Sequence, residues 1–212
     1  MFKPNNLTEN LAHMKRKNQP IIVAYLPALY PNKEKSKEWI ELLLDNGVDA
    51  VELGYPSKNP EMDGQVISKA NKYVYDRGFQ ADDYTDFAQK IIKEMDYSKL
   101  IAMGYWEQIE SLFFNKFINQ WKNSGLDTLI FPNLNSKSTI EKLKNNGYNF
   151  IPFIANKEDI ENTNVGDEPF IYCPSYIGKT GQSGEIDVNH LKELKENLND
   201  SPLKEKPHLA GF

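Results

Sequence analysis

The chain has 212 residues and a formal net charge of −5, from 25 lysines and arginines against 30 aspartates and glutamates. This balance excludes the clustered excess of positive charge with which proteins bind nucleic-acid backbones. Hydrophobic residues make up 40% of the chain, which is enough for a packed core and too much for a disordered protein. We therefore expect one globular domain over residues 1–212.

Several features of the sequence favour a cytoplasmic protein. Its single cysteine, Cys173, can form neither an internal disulfide nor a multi-thiolate metal site. The N-terminus lacks the apolar run of a signal peptide, and no stretch reaches the ~20 apolar residues that cross a bilayer. His13, His190 and His208 share no metal-ligand spacing. We expect no metal, no membrane contact and no nucleic-acid partner.

Short apolar, β-branched runs alternate with longer segments of helical periodicity along the whole chain. The predicted strands are residues 20–25, 50–54, 100–103, 128–131, 150–154, 170–173 and 207–212. The predicted helices are residues 6–17, 34–46, 65–77, 84–95, 109–123, 138–145 and 188–197. Residues 159–164 are too few and too polar for a helix to be predicted there, and residues 178–184 form a glycine-rich loop.

Each predicted strand is separated from the next by a crossover of helix length, which is typical of parallel α/β folds. An open doubly wound sheet and a (βα)8 TIM barrel both fit this pattern. No Gly-x-Gly-x-x-Gly segment follows any of the predicted strands, which favours the barrel. With about seven βα units, the barrel is predicted to be incomplete.

Two carboxylates lie where barrel enzymes place their reacting groups, at the C-terminal end of a strand and in the loop that follows. Glu52 lies in the second predicted strand, between Val51 and Leu53. Burial there would raise its pKa towards the range useful for acid/base catalysis, although a buried Glu paired with a Lys is an equal alternative. Asp63 lies in the next loop, where a helix N-cap is the alternative to a catalytic role.

The segment around the second strand resembles the tryptophan synthase alpha chain family. DAVELGYP at 49–56, NP at 59–60 and MDGQVI at 62–67 are similar to the usual E-L-G-x-P-F-S-D-P-x-A-D-G-P of that family. Similar loops follow other predicted strands, at residues 25–31, 103–105, 131–134 and 172–181. The resemblance covers essentially the whole chain.

This resemblance implies a carbon–carbon lyase of tryptophan biosynthesis that cleaves indole-3-glycerol phosphate to indole and glyceraldehyde 3-phosphate, without a metal or organic cofactor. Glu52 would be the acid/base that acts on the indole carbon and the glycerol hydroxyl, and Asp63 would accept the hydrogen bond of the indole N–H. The implied substrate-binding residues are Tyr25, Tyr105, Tyr172, Thr180, Gly181 and Gly211. For the three tyrosines, core packing is the alternative.

The resemblance also implies a partner, the tryptophan synthase beta chain, in an alpha2beta2 tetramer. Asn59 and Asn133 stand where the loops that meet that chain usually carry an aspartate, and Glu107 replaces a usual asparagine. Family members continue past residue 212 through a helix, an eighth strand and a final helix. The resemblance therefore implies a domain that is truncated at its C-terminal end, and we expect weak activity or poor solubility.

Two other functions fit parts of the sequence. The first is a non-catalytic barrel remnant that binds a partner chain, which would show no phosphate-dependent affinity for indole-3-glycerol phosphate. The second is another phosphate-sugar barrel, such as an isomerase. Gly178-Lys179-Thr180 is similar to the end of a P-loop, but that motif requires a glycine where Cys173 stands.

Overall fold

The computed structural model describes residues 7, 20–60, 63–95, 99–163, 168, 170–175 and 187–211. Its strands are Val23–Pro27 (β1), Ala50–Gly54 (β2), Leu100–Met103 (β3), Thr128–Ile130 (β4), Asn149–Phe150 (β5), Ile171–Pro174 (β6) and His208–Gly211 (β7). Its helices are Lys33–Asp45 (α1), Gln65–Tyr75 (α2), Ala81–Met95 (α3), Trp106–Leu112 (α4), Ile118–Ser124 (α5), Lys137–Asn145 (α6), Lys157–Asn162 (α7) and Val188–Asn199 (α8). A π-helical turn, Phe113–Phe117, joins α4 to α5.

The strands follow one another in sequential, parallel order. β1 to β5 form one sheet, β6 pairs with β7, and a parallel bridge between Phe153 and Tyr172 joins the two sheets. A doubly wound sheet would reverse its strand order part-way, whereas a barrel keeps the sequential order. The predicted barrel type of α/β fold is confirmed in the described part of the chain.

The alternation of side chains along β2 decides where Glu52 points. Val51 and Leu53 belong to the large core between the sheet and the helices, whereas Ala50 belongs to a second cluster on the inner face of the strands. The other buried members of this inner cluster are Leu7, Ile101, Ile130, Ile151 and Phe170. Alternate residues of a strand face the same side, so Glu52 and Gly54 lie above Ala50 on the inner face.

The structure contradicts the prediction of no helix near residues 159–164, because α7 forms there. Asn156 and Asp159 build a capping box. Asn156 Oδ1 accepts a hydrogen bond from the Asp159 N–H at 3.1 Å, and Asp159 Oδ2 accepts one from the Asn156 N–H at 3.1 Å. These bonds satisfy donors of the first turn, and buried Ile160 fixes the helix to the core.

Two predicted strands are shorter or shifted. β1 starts at Val23 rather than at residue 20, because Ile22 is exposed and its N–H bonds to Asp49 Oδ2 at 2.8 Å instead of entering a ladder. β5 has only two residues, since Pro152 carries no N–H to donate. The Pro152 carbonyl still accepts a hydrogen bond from the Tyr172 N–H at 3.0 Å.

Other predicted elements are confirmed with altered ends. The helix predicted over 109–123 runs as α4, the π-helical turn and α5 over 106–124. The predicted helix at 6–17 and the glycine-rich loop at 178–184 lie outside the described residues, apart from Leu7. Within the described ranges, every helix is too short or too polar to cross a membrane.

Candidate active site

Glu52 is a buried carboxyl group on the inner face of β2. Its residue is 4% exposed, and no other described residue forms a hydrogen bond or an ion pair with it. Burial penalises the charged form and raises the pKa of Glu52 to about 7. Within the described part of the chain, the alternative of a lysine-paired structural glutamate therefore has no support.

Asp63 lies just before α2, and its predicted alternative role as the N-cap of that helix is wrong. The N-cap is Gly64, which has no side chain to cap with. The Asp63 carboxylate instead accepts a hydrogen bond from the Tyr105 hydroxyl. Burial raises the pKa of Asp63 to about 6, although the bond from Tyr105 acts in the opposite direction.

Tyr25 lies near both carboxyl groups. It lies beside Glu52 in the β1–β2 ladder and shares the inner face of the strands. Burial, and the nearby carboxyl groups of Asp63 and Glu52, raise the pKa of its hydroxyl well above the usual range. The neighbourhood of Tyr25 thus includes Glu52, Asp63 and Tyr105, so residues from positions 25 to 105 of the sequence come together here.

Gly54 leaves the space that the Tyr25 ring occupies. A Cβ atom at Gly54 would lie 2.3 Å from the Tyr25 hydroxyl oxygen and 2.7 Å from Cζ of the ring. We expect Gly54→Ala to lower the free energy of unfolding by about 1–3 kcal/mol, because the ring has to move. In a Tyr25→Leu background the same change should cost much less. Equal costs in both backgrounds, measured by denaturant unfolding, would contradict this packing.

Tyr172 approaches Glu52 from β6. Its ring stacks on Phe153, with centroids 5.1 Å apart, and the charge of Glu52 contributes to raising the pKa of the Tyr172 hydroxyl. Gly211 on β7 makes room for this ring, since a Cβ there would lie 2.0 Å from the Tyr172 hydroxyl oxygen. Thr180 and Gly181, the other residues of the implied substrate site, lie outside the described residues.

Two amide side chains, which the sequence reasoning missed, hold the loop between β2 and Asp63. Asn71 Oδ1 accepts a hydrogen bond from the Ser57 N–H at 3.0 Å. From α4, Gln108 donates to Ser57 Oγ at 2.7 Å and accepts from the Lys58 N–H at 3.2 Å. On α2, Asn71 is buried together with Ala70 and Val74. The signal available in the sequence was therefore a polar residue on a helix face that is otherwise apolar.

Glu107 and Asn133, two of the positions that depart from the family pattern, are bonded to each other. The Asn133 amide donates to the Glu107 carboxylate, and Asn133 Oδ1 accepts a hydrogen bond from the Trp106 N–H at 2.8 Å. A carboxylate and an amide thus join the loops after β3 and β4.

The arrangement provides proton transfer next to a hydrogen-bond acceptor. A carboxyl group with a pKa of about 7 is available both as acid and as base near neutral pH. Asp63, whose pKa burial raises to about 6, is the hydrogen-bond acceptor. Within the described ranges, no group of three or more His, Cys, Asp or Glu side chains is placed to hold a metal ion.

A comparison with protein families decides what this site belongs to. The family model described as "Tryptophan synthase alpha chain" matches residues 11–212. The chain belongs to the tryptophan synthase alpha chain family. This confirms the resemblance drawn from the second strand and, at the level of the family, the expected lyase function. The roles of the individual site residues stay predictions.

Curated members of the family and solved structures are similar to most of the chain. The tryptophan synthase alpha chain of Petrotoga mobilis is 30% identical over 215 residues, covering 92% of this chain and 83% of the relative. The tryptophan synthase alpha chain of Actinobacillus pleuropneumoniae is 30% identical over 211 residues, covering 95% of this chain and 76% of the relative. A structure of Mycobacterium tuberculosis tryptophan synthase superposes with a TM-score of 0.81 at 20% identity, covering 99% of this chain and 81% of that one. This structural match supports the TIM-barrel fold.

Proposed function

We propose that this chain cleaves indole-3-glycerol phosphate to indole and glyceraldehyde 3-phosphate, with Glu52 as the acid/base and Asp63 as the acceptor of the indole N–H. The observation that carries the proposal is the burial of Glu52 without an ion pair among the described residues, close to Tyr25 and thereby to Asp63. We place the reaction in the cytoplasm, with the tryptophan synthase beta chain as partner.

One carboxyl group can serve both proton transfers of this cleavage. Protonated Glu52 gives its proton to the indole carbon that bears the glycerol chain, which leaves a positive charge on the ring nitrogen. The Glu52 carboxylate then takes the proton of the glycerol hydroxyl as the carbon–carbon bond breaks. The bonding electrons return to the ring, the aldehyde forms, and Glu52 regains its proton. A pKa of about 7 suits both directions of transfer.

Asp63 stabilises the charge that develops on the ring. While the ring nitrogen is cationic, an ionised carboxylate bonded to its N–H lowers the energy of that state in a site with little water. The hydrogen bond from Tyr105 keeps Asp63 oriented. Tyr25 and Tyr105 provide aromatic walls for the indole ring, and Tyr172 lies on the Glu52 side.

Asp63→Asn tests the role of the acceptor. The amide still accepts a hydrogen bond but carries no charge, so we expect kcat/KM for indole release to fall about 10- to 100-fold. The assay measures indole from the purified chain, alone and with a tryptophan synthase beta chain. Asp76→Asn is the control, because Asp76 is exposed and pairs with Lys72 on the surface.

The outcomes separate the proposed lyase from the barrel remnant. Indole release by the wild-type chain that Asp63→Asn reduces and Asp76→Asn does not would support the lyase. The absence of indole release in both assays, together with no affinity for the substrate, would overturn the proposal in favour of a non-catalytic binding protein.

A further inference from the structure

The loop that carries Asp63 is bonded to the helix that follows it. Ser57, near the start of this loop, is only 1% exposed, and its N–H donates to Asn71 Oδ1 of α2 at 3.0 Å. Asn71 is held in turn, because its Nδ2 donates to the Ile67 carbonyl of the same helix at 3.2 Å. The bond between Ser57 and Asn71 therefore closes a ring of the chain, and Asp63 lies on this ring.

Gln108 of α4 bonds the same loop from the neighbouring βα unit. Its Nε2 donates to Ser57 Oγ at 2.7 Å, and its Oε1 accepts a hydrogen bond from the Lys58 N–H at 3.2 Å. One side-chain amide thus uses a donor and an acceptor on two consecutive residues. Two bonds of opposite sense fix the direction of the loop as well as its distance from α4.

The first turn of α4, which carries Gln108, is itself held in place. The Gln108 N–H donates to the Tyr105 carbonyl at 3.1 Å, and the Trp106 N–H donates to Asn133 Oδ1 in the loop after β4 at 2.8 Å. The buried Trp106 ring packs on Phe131 with centroids 5.2 Å apart. A group carried by such a fixed helix positions its partner more precisely than a group on a loop.

The path from Gln108 to Asp63 is short. Pro60 lies two residues after Lys58, and its carbonyl accepts a hydrogen bond from the Asp63 N–H at 3.2 Å. Tyr105, at the start of α4, donates from its hydroxyl to the Asp63 carboxylate. The first turn of α4 therefore contacts the loop at two points, at Lys58 through Gln108 and at Asp63 through Tyr105.

We propose that Gln108 is a positioning residue, which sets the place of the Asp63 carboxylate by holding Ser57 and Lys58. The charge that Asp63 has to meet develops only as the indole ring is protonated, so the place of Asp63 matters more in the transition state than in substrate binding. A displacement of about 1 Å can lower a rate by about 100-fold. This inference rests on the proposed role of Asp63.

Gln108→Leu tests this role, because it removes both bonds and keeps a side chain of similar size. We expect kcat for indole release to fall about 10-fold while KM changes less than 3-fold, since a displaced Asp63 loses an interaction of the transition state. Gln108→Glu should restore most of the rate. The new carboxylate accepts from the Lys58 N–H and also from the Ser57 hydroxyl, which then acts as the donor.

Gln89→Leu is the matched control. Gln89 is a half-buried glutamine on α3, and its Nε2 donates to the Gln120 carbonyl at 3.4 Å. This variant should keep the wild-type kcat. An unchanged kcat in Gln108→Leu, an equal loss in Gln89→Leu, or a Gln108→Glu variant as slow as Gln108→Leu would overturn the inference.

Amide hydrogen exchange, followed by NMR, tests the same bonds without turnover. The Lys58 and Asp63 N–H groups should exchange about 10-fold faster in Gln108→Leu than in the wild-type chain, because the loop opens more often. Faster exchange at Lys58 alone, or at neither residue, would refute the positioning of Asp63. If the chain released no indole but both amides exchanged faster, the proposed lyase function would fail while the positioning of Asp63 by Gln108 would stand.

Discussion

Glu52→Gln is expected to lower the rate of indole formation by about two to four orders of magnitude, because the amide can neither give nor take the proton. The same change should stabilise the folded chain at neutral pH. Gln has nearly the same shape as Glu but carries no charge, so it avoids the cost of burying a carboxylate without an ionic partner on the inner face of β2.

The direction of the stability change follows from proton binding. The pKa of Glu52 is about 7 in the folded chain, against an ordinary value of 4.5. Between these values the folded chain binds more protons than the unfolded chain, so stability falls as the pH rises from about 4.5 to 7. Glu52→Gln removes this fall, and its advantage should grow over that window to about 3 kcal/mol above pH 7.

Indole assays and denaturant unfolding between pH 4.5 and 8 measure both effects. Glu110→Gln is the matched control, because Glu110 is exposed on α4, and it should change neither quantity. Normal indole formation by Glu52→Gln would end the assignment of the acid/base. A variant that is less stable than the wild-type chain at pH 7 would show that the Glu52 carboxylate has a stabilising partner.

Trp121→Ala is expected to have the largest effect on the fold, with a loss of about 3–5 kcal/mol in the free energy of unfolding. Trp121 is fully buried on α5, stacked on Phe117 at a centroid distance of 5.1 Å and in edge contact with Phe113 at 5.4 Å. Its indole N–H also donates to Thr85 Oγ1 of α3 at 2.9 Å. Truncation leaves a large cavity and removes that bond.

Denaturant unfolding measures this loss, and Trp39→Ala provides the comparison. Trp39 lies on α1, is only half-buried and touches Tyr30 at a centroid distance of 6.3 Å. The unfolding midpoint should therefore fall much further for Trp121→Ala than for Trp39→Ala. Similar losses for the two variants would contradict the central role of Trp121 in the core between the sheet and the helices.

The order of strands and helices was predictable because each element carries its own periodicity. β2 is apolar apart from Glu52, and α1, α2, α3 and α6 present apolar residues at helical spacing. The ends of elements were harder to predict. α7 depends on the capping box of Asn156 and Asp159, and β5 stops early because Pro152 cannot donate to a ladder. Over a few residues, such local bonds outweigh the average helix or strand propensity of the sequence.

The candidate site was partly predictable. Glu52 and Asp63 lie in the segment whose resemblance to the family suggested them as candidates, and the family is confirmed over residues 11–212. Asn71 was missed because its importance comes from burial and from bonds to Ser57 and Tyr25, which lie 14 and 46 positions away in the chain. A single sequence does not show which polar residue of a helix will be buried next to residues that are distant in the chain.

The sequence by itself determined the alternation of strands and helices, the sequential barrel pattern that follows from it, and the acidic pair at the second strand. Only the tertiary structure decided that Tyr25 and Tyr105 lie near Asp63, that Tyr172 lies near Glu52, and that no described cation neutralises either acid. The physical reason is that neighbouring parallel strands bring together residues far apart in the chain, and the burial that results raises the pKa of both acids.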